Sequence, residues 1–284
     1  MKGFQLGGTH LNKPGRKGLA ESKALFCGGK QMIINSDLSD IQLLDFIYKA
    51  ACEYSNLVGN QYLIVGKNKN SNYFWFQCHF DKKHFMHLLG IHSNTLSATD
   101  FFELSLNRKL TISDCSPSRN HNRRTVNEKC SCCADMLRIQ DAKYMKVGFK
   151  DKISKFVDFT YAYGSLATLG FSLKDKNLRN SAFPITLIPR NIDEFSSKKY
   201  KIIFVFRKNL TTALYREPFV EIKRGLFVEL YSNFPPELKN LIIPEIRELS
   251  SPGNISTKTL RDMDSAIANF KCSNVSEGID LSDF

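Results

Sequence analysis

The run Tyr73-Phe74-Trp75-Phe76-Gln77-Cys78-His79-Phe80 constrains this chain most, because its order reads as a β-strand with two different faces. Side chains alternate across a strand, so Phe74, Phe76, Cys78 and Phe80 share one side while Tyr73, Trp75, Gln77 and His79 share the other. Tyr62 to Val65 forms a second strand-like run. The intervening Gly66 to Asn72 is rich in turn residues, so the two runs predict a hairpin. Upstream the period changes to that of a helix. Ile41, Leu44, Ile47, Tyr48, Ala51 and Tyr54 predict a helix over 37–57, capped by Ser36 or Ser39. Downstream, Asp81 caps a short helix from Lys82 to Leu89, which Gly90 stops.

The rest of the chain is patterned unevenly. Residues 1–35 are basic, glycine-rich and without periodicity, and read as an arm. Residues 92–142 read as an inserted loop region in which Phe101 to Leu106 is the ordered piece. Its polar centre, 113–131, brings Arg119, His121, Arg123 and Arg124 close together. A helical period spans 141–169 through Tyr144, Val147, Ile153, Phe156, Val157 and Tyr161. Strand patterns follow at 168–173, 183–188, 200–207, 219–223 and 226–230. Short turns between them predict an antiparallel sheet. Pro235-Pro236 then opens a C-terminal extension, 233–284, with one helical stretch near 258–270. The expected fold class is α+β: one domain over 36–232 with a basic loop insertion.

Charge narrows the partners. Forty Lys and Arg against 28 Asp and Glu give a net +12, with a pI near 9.3. That excess attracts polyanions. No apolar run reaches about 18 residues, so no membrane partner is expected. The segment after Met1 lacks a secretory pattern. The eight cysteines have no repeating spacing, and Cys52 and Cys78 fall inside apolar periodic stretches, which fits reduced thiols in a cytoplasmic setting.

Four histidines, His79, His84, His87 and His92, crowd one stretch. A metal needs three or four converging ligands, and only His84 and His87 lie within one helical turn of each other. Cys130, Cys132 and Cys133, with Cys115 and His121, hold a single Cys-x-x-Cys pair, where structural zinc usually has two pairs. No metal or cofactor is therefore expected. Carboxylates are too scarce in the patterned core for two-metal chemistry, so a nuclease of this sequence would work without metal. The strand from Lys198 to Lys208 places apolar residues between cations, and Lys223-Arg224 closes a later strand in the same way. Such strand ends can track a phosphate backbone.

Two segments carry a resemblance. The run His79-Phe80-Asp81-Lys82-Lys83-His84-Phe85-Met86-His87-Leu88-Leu89-Gly90 resembles a Phe-x-x-x-x-Phe-x-His-Leu-x-Gly signature of a phage-associated branch of the Barnase–EndoU–colicin–RelE-like nucleases. Phe183-Pro184-Ile185-Thr186-Leu187-Ile188 is similar to the second motif of that branch, and the similarity spans about 37–232. The resemblance implies N-terminal helices packed on an antiparallel sheet, and metal-independent endoribonuclease action of phage or mobile-element conflict or toxin type. It also implies an RNA partner, with an antidote or host protein as a further one. His87 falls at the motif histidine and Thr186 at the motif threonine. Arg190, Arg207 and Lys201 are added as cations on the matching turn and strand. In this expectation the catalytic set is His87, Thr186, Arg190 and Arg207. Lys201, Lys208, Lys223, Arg224, Arg123 and Arg124 are expected to bind RNA. The other reading is a non-catalytic RNA- or protein-binding effector on the same scaffold.

Overall fold

The computed structural model describes residues 23–27, 30–152, 159–173, 181–216 and 218–243. Its frame is a strongly curved sheet. The strands are β1 (Lys23–Cys27), β2 (Lys30–Ile34), β3 (Asn60–Lys67), β4 (Tyr73–His79), β5 (Ile91–His92) and β6 (Ser116–Pro117), then β7 (Lys146–Phe149), β8 (Tyr161–Gly164), β9 (Thr168–Leu173), β10 (Ala182–Ile188), β11 (Tyr200–Asn209) and β12 (Pro218–Glu221). The large sheet runs β12-β11-β3-β4-β10-β9-β8-β7, and β7 also pairs with β11. The sheet therefore closes into a seven-strand ring, with β12 lying along the C-terminal half of β11. Among the described strands the pairings are antiparallel except β4 with β10, which meet in parallel through the single register pair Cys78 and Ala182. At that seam the two strands part.

Among the described residues, four α-helices belong to the first half of the chain: α1 (Asp40–Ser55), α2 (Phe85–Leu88), α3 (Ala98–Leu106) and α4 (Arg123–Leu137). Ser39 and Gln42 cap α1 reciprocally, side chain to backbone in both directions. Leu43, Ile47, Ala50, Ala51 and Tyr54 turn its apolar stripe inward. They share one core with the inner faces of β3 and β4, with Phe85 and Leu88 of α2, and with Val126, Cys130, Cys133 and Met136 of α4. Outside the ring a second core joins Leu63, Val65, Phe204 and Phe206 to Tyr231, Phe234 and Leu238. These last come from α5 (Leu226–Tyr231) and the segment through α6 (Pro236–Lys239). The strand Tyr73 to His79 is thus wedged between two cores, which is why both of its faces are largely apolar.

Several expectations need correction. The region 92–142 is no loop insertion: α3 and α4 occupy much of it, and α4 packs on α1. Its cysteines interrupt the visible pattern because small buried thiols score as neither strongly apolar nor polar. The helix expected over 141–169 is a turn followed by β7 and β8, with 153–158 outside the described residues. Gly148 and Gly164 favour that outcome. Residues 226–230 form α5, not a strand, since Phe227 and Tyr231 are one helical turn apart and both join the second core. Such short apolar runs carry no decisive period. Within the expected arm, β1 and β2 pair as an antiparallel hairpin. The helix expected near 258–270 lies outside the described residues.

Candidate active site

The histidines gather where β4 and β10 part. Alternation along β4 puts His79 on the face opposite Cys78, and its Nδ1 lies 2.6 Å from the Ser181 hydroxyl at the start of β10. Asp81 then caps the turn Lys82–His84, accepting from the Lys83 amide at 3.2 Å. The Tyr54 hydroxyl, buried against α2, donates to the Asp81 carbonyl at 2.9 Å and pins the turn to α1. Phe85 and Leu88 are fully buried, His87 projects outward, and His84 stays half-buried at the start of the turn.

His84 is the unusual member. Its ring lies flat on Phe183 of β10, with centroids 4.6 Å apart and planes 21° apart. Its Nδ1 is buried and finds no hydrogen-bond partner. Burial drives its pKa down to about 4; the Asp81 carboxylate opposes this, while Lys83, His79 and His87 reinforce it. At neutral pH it is an uncharged imidazole. His87 itself is exposed on α2.

The cations divide into two groups. Strand register aligns His79 with Gln61 on β3, and Gln61 with Lys208 on β11, so Lys208 lies two strands from His79, roughly 10 Å away. Arg207 lies in the neighbouring row with Tyr62 and Cys78. Its guanidinium carbon sits 4.3 Å from the Phe219 ring centre and opposes the upward shift of the Tyr62 hydroxyl. Lys208 Nζ donates to the Ala213 carbonyl at 2.6 Å. Lys201 lies at the other end of β11, about 23 Å away along the strand. Lys223, in the turn after β12, is 3.6 Å from Glu229, and Arg224 beside it is exposed.

Two expected catalytic residues lie away from the histidines. Thr186 is only 2% exposed, paired with Gly170 and packed in the region of Phe159, so its hydroxyl is not presented at a surface. Arg190 sits in the turn after β10, 3.4 Å from Glu194; Asp193 of the same turn faces Lys146 and Lys199. Arg123 and Arg124 open α4 rather than line a loop, 2.7 Å from Asp40 and 3.2 Å from Glu128 respectively. Among the described residues no three His, Cys, Asp or Glu converge as a metal-holding group. Cys115, Cys130, Cys132 and Cys133 are free and buried, and burial raises their thiol pKa values. None of the described helices is long and apolar enough to cross a membrane.

Sequence reading missed Ser181, Phe183 and the role of His84. Ser181 and Phe183 sit about a hundred positions from His79 and His84, and only the parallel seam joins them. It also missed a half-buried polar chain beside α2. Lys129 Nζ lies 2.7 Å from His121 Nε2, and His121 Nδ1 lies 2.8 Å from the Ser118 hydroxyl. The His121 ring packs against Gly90 at the end of α2.

Comparison with curated proteins and with solved structures finds no match. The family model described as phage-Barnase-EndoU-ColicinE5/D-RelE like nuclease4 matches residues 46–223, which take in the histidine turn, the β4–β10 seam and all of β11. That span is more than half of the 284 residues, and the chain belongs to this family of nucleases.

Proposed function

We propose that the chain is a metal-independent endoribonuclease whose site lies at the β4–β10 seam. The observation that carries this is the group His79, His84 and His87, with His84 held neutral against Phe183. A ribose 2′-hydroxyl attacking the adjacent phosphate must lose its proton, and a neutral imidazole is a suitable acceptor. His87, exposed and at the motif position, is the base. His84, seated on Phe183, positions the turn that carries His87; as the 2′-oxygen bonds to phosphorus the bond to the 5′-oxygen breaks, and that oxygen takes its proton from solvent. Ser181 orients His79 through their 2.6 Å contact. Lys208, on the same face of the sheet as His79, supplies positive charge for the phosphorane from two strands away; Arg207, on the opposite face with Tyr62 and Cys78, meets the RNA outside the reacting centre. Thr186 acts from beneath as part of the packing that sets β10, and Arg190 binds RNA outside the reacting centre.

Proton transfer by a placed side chain contributes about 10²- to 10⁴-fold. His87→Ala, incubated with total RNA in EDTA, should therefore lose cleavage by at least a hundredfold while still retarding RNA. Equal cleavage by the variant would remove His87 from the mechanism. The separation of Arg190 and Thr186 from His87 favours a second reading, a non-catalytic RNA-binding effector; it predicts no cleavage by the wild type under any of these conditions.

A further inference from the structure

Far from the histidines, the register lines up three lysines. Lys67 on β3 faces Lys201 on β11, and Lys201 faces Lys146 on β7, all on the outer face of the sheet. Directly opposed residues on antiparallel strands have Cβ atoms about 5 Å apart, and like charges there are destabilising. Lys199 extends the patch, and one carboxylate, Asp193, serves both Lys146 (3.7 Å) and Lys199 (3.1 Å). Neither Lys67 nor Lys201 has a carboxylate partner among the described residues, and the Lys201 side chain is exposed. Lys67 Nζ lies 5.4 Å from the Tyr73 ring centre, and the row as a whole sets like charges side by side.

Where β7 ends, an aromatic ring stands open on the other face of the sheet. Phe149 is 52% exposed, three residues from Lys146 and on the opposite face of the strand. Its ring meets Phe74 edge to face at 4.9 Å and Tyr161 at 5.3 Å, and Phe74 in turn stacks on Tyr200 at 5.2 Å. Phe149 is thus held by its neighbours with part of its surface uncovered. The strand end forms a rim, with cations on one side and a fixed ring on the other.

We propose that this rim, Lys67, Lys146, Lys201 and Phe149, is an anchoring site for single-stranded RNA, separate from the reacting centre. Lysines facing outward neutralise phosphates, and an exposed, buttressed ring stacks a base that has left its helix. A duplex keeps its bases stacked and offers only phosphates, so the ring selects unpaired strands. The inference rests on the reading that RNA is the partner, but not on cleavage.

The test uses the full chain and a labelled 2′-O-methyl oligouridine, which lacks the free 2′-hydroxyl and so reports binding alone. Fluorescence anisotropy should show Phe149→Ala weakening this strand by about 5- to 150-fold, the range for one stacked base. A 2′-O-methyl duplex should lose much less. Combined Lys67→Gln, Lys146→Gln and Lys201→Gln should make the slope of log affinity against log salt shallower by about 2, from about 0.7 per phosphate contact on a single strand. A charge-matched control, Lys49→Gln, Lys109→Gln and Lys239→Gln, should leave the slope nearly unchanged. Thermal melting of each variant establishes that it is folded. Wild-type affinity in Phe149→Ala, equal losses for strand and duplex, or equal slopes in the two triple variants would overturn the proposal.

Discussion

Replacing Lys129 with methionine should make the protein more stable, although it deletes a hydrogen bond. Lys129 lies on α4, only 3% exposed, among Cys130, Cys132 and Cys133. Burial pulls its pKa from 10.5 down to about 8, an effect the neighbouring thiols partly oppose. At pH 7 the amine is still charged, so the folded state bears the cost of keeping a poorly solvated cation. At 1.36 kcal/mol per pH unit, the difference between 10.5 and about 8 corresponds to about 3 kcal/mol. The contact with His121 at 2.7 Å offsets about 1 kcal/mol of this, because a hydrogen bond contributes roughly that much net. Lys129→Met, close in length and apolar, should therefore gain about 2 kcal/mol at pH 7, raising Tm by roughly 4–8 °C. The pH dependence gives an independent check. The folded pKa lies below the unfolded one, so between about pH 8 and 10.5 the unfolded chain binds more protons and wild-type stability rises through this window relative to the variant. The advantage of Lys129→Met should shrink accordingly. Urea unfolding of both proteins at pH 7 and pH 10, under reducing conditions, measures it. A variant less stable than wild type at pH 7, or an advantage that persists at pH 10, would refute the reasoning.

Other expectations follow from single contacts. Gly90 has φ +69°, and an added Cβ would come within 2.9 Å of the His121 ring, so Gly90→Ala should cost about 2 kcal/mol in urea unfolding. Tyr54→Phe removes the donor to the Asp81 carbonyl and should cost about 1–2 kcal/mol; hydrogen exchange at Lys83 and His84 should quicken. Proton NMR should place the His84 midpoint near 4, below the ordinary 6.5. Because its folded value is the lower one, His84 makes stability fall as pH drops from about 6.5 to 4, and His84→Gln should be less sensitive to acid across that window.

Much of the frame was legible from local pattern. The α1 helix, its Ser39 cap, the β3–β4 hairpin and the Gly90 stop all depend on residues near one another in sequence, and all appear; the expected stripe was only half right, since Ile47, Ala51 and Tyr54 are buried with Leu43 and Ala50 while Ile41 is 82% exposed. The α4 helix was hidden because Cys130, Cys132, Cys133 and Asn127 blur its apolar face, yet all four are buried. The candidate site was legible only in its first half. The histidine turn announces itself in the sequence, but the neutrality of His84 comes from Phe183, and the partner of His79 is Ser181. Both arrive through a parallel pairing that no short-range signal encodes. Thr186 looked available because a strand motif does not reveal which face a later segment covers; Arg190 looked free because its partner, Glu194, belongs to a turn.

The chemistry of the cut ends tests the account most directly. Total RNA incubated with the wild type in EDTA should yield fragments ending in 2′,3′-cyclic phosphate, with 2′-O-methyl RNA left intact and His87→Ala inactive. Fragments with 3′-hydroxyl ends, cleavage of the 2′-O-methyl strand, or undiminished cutting by His87→Ala would contradict it.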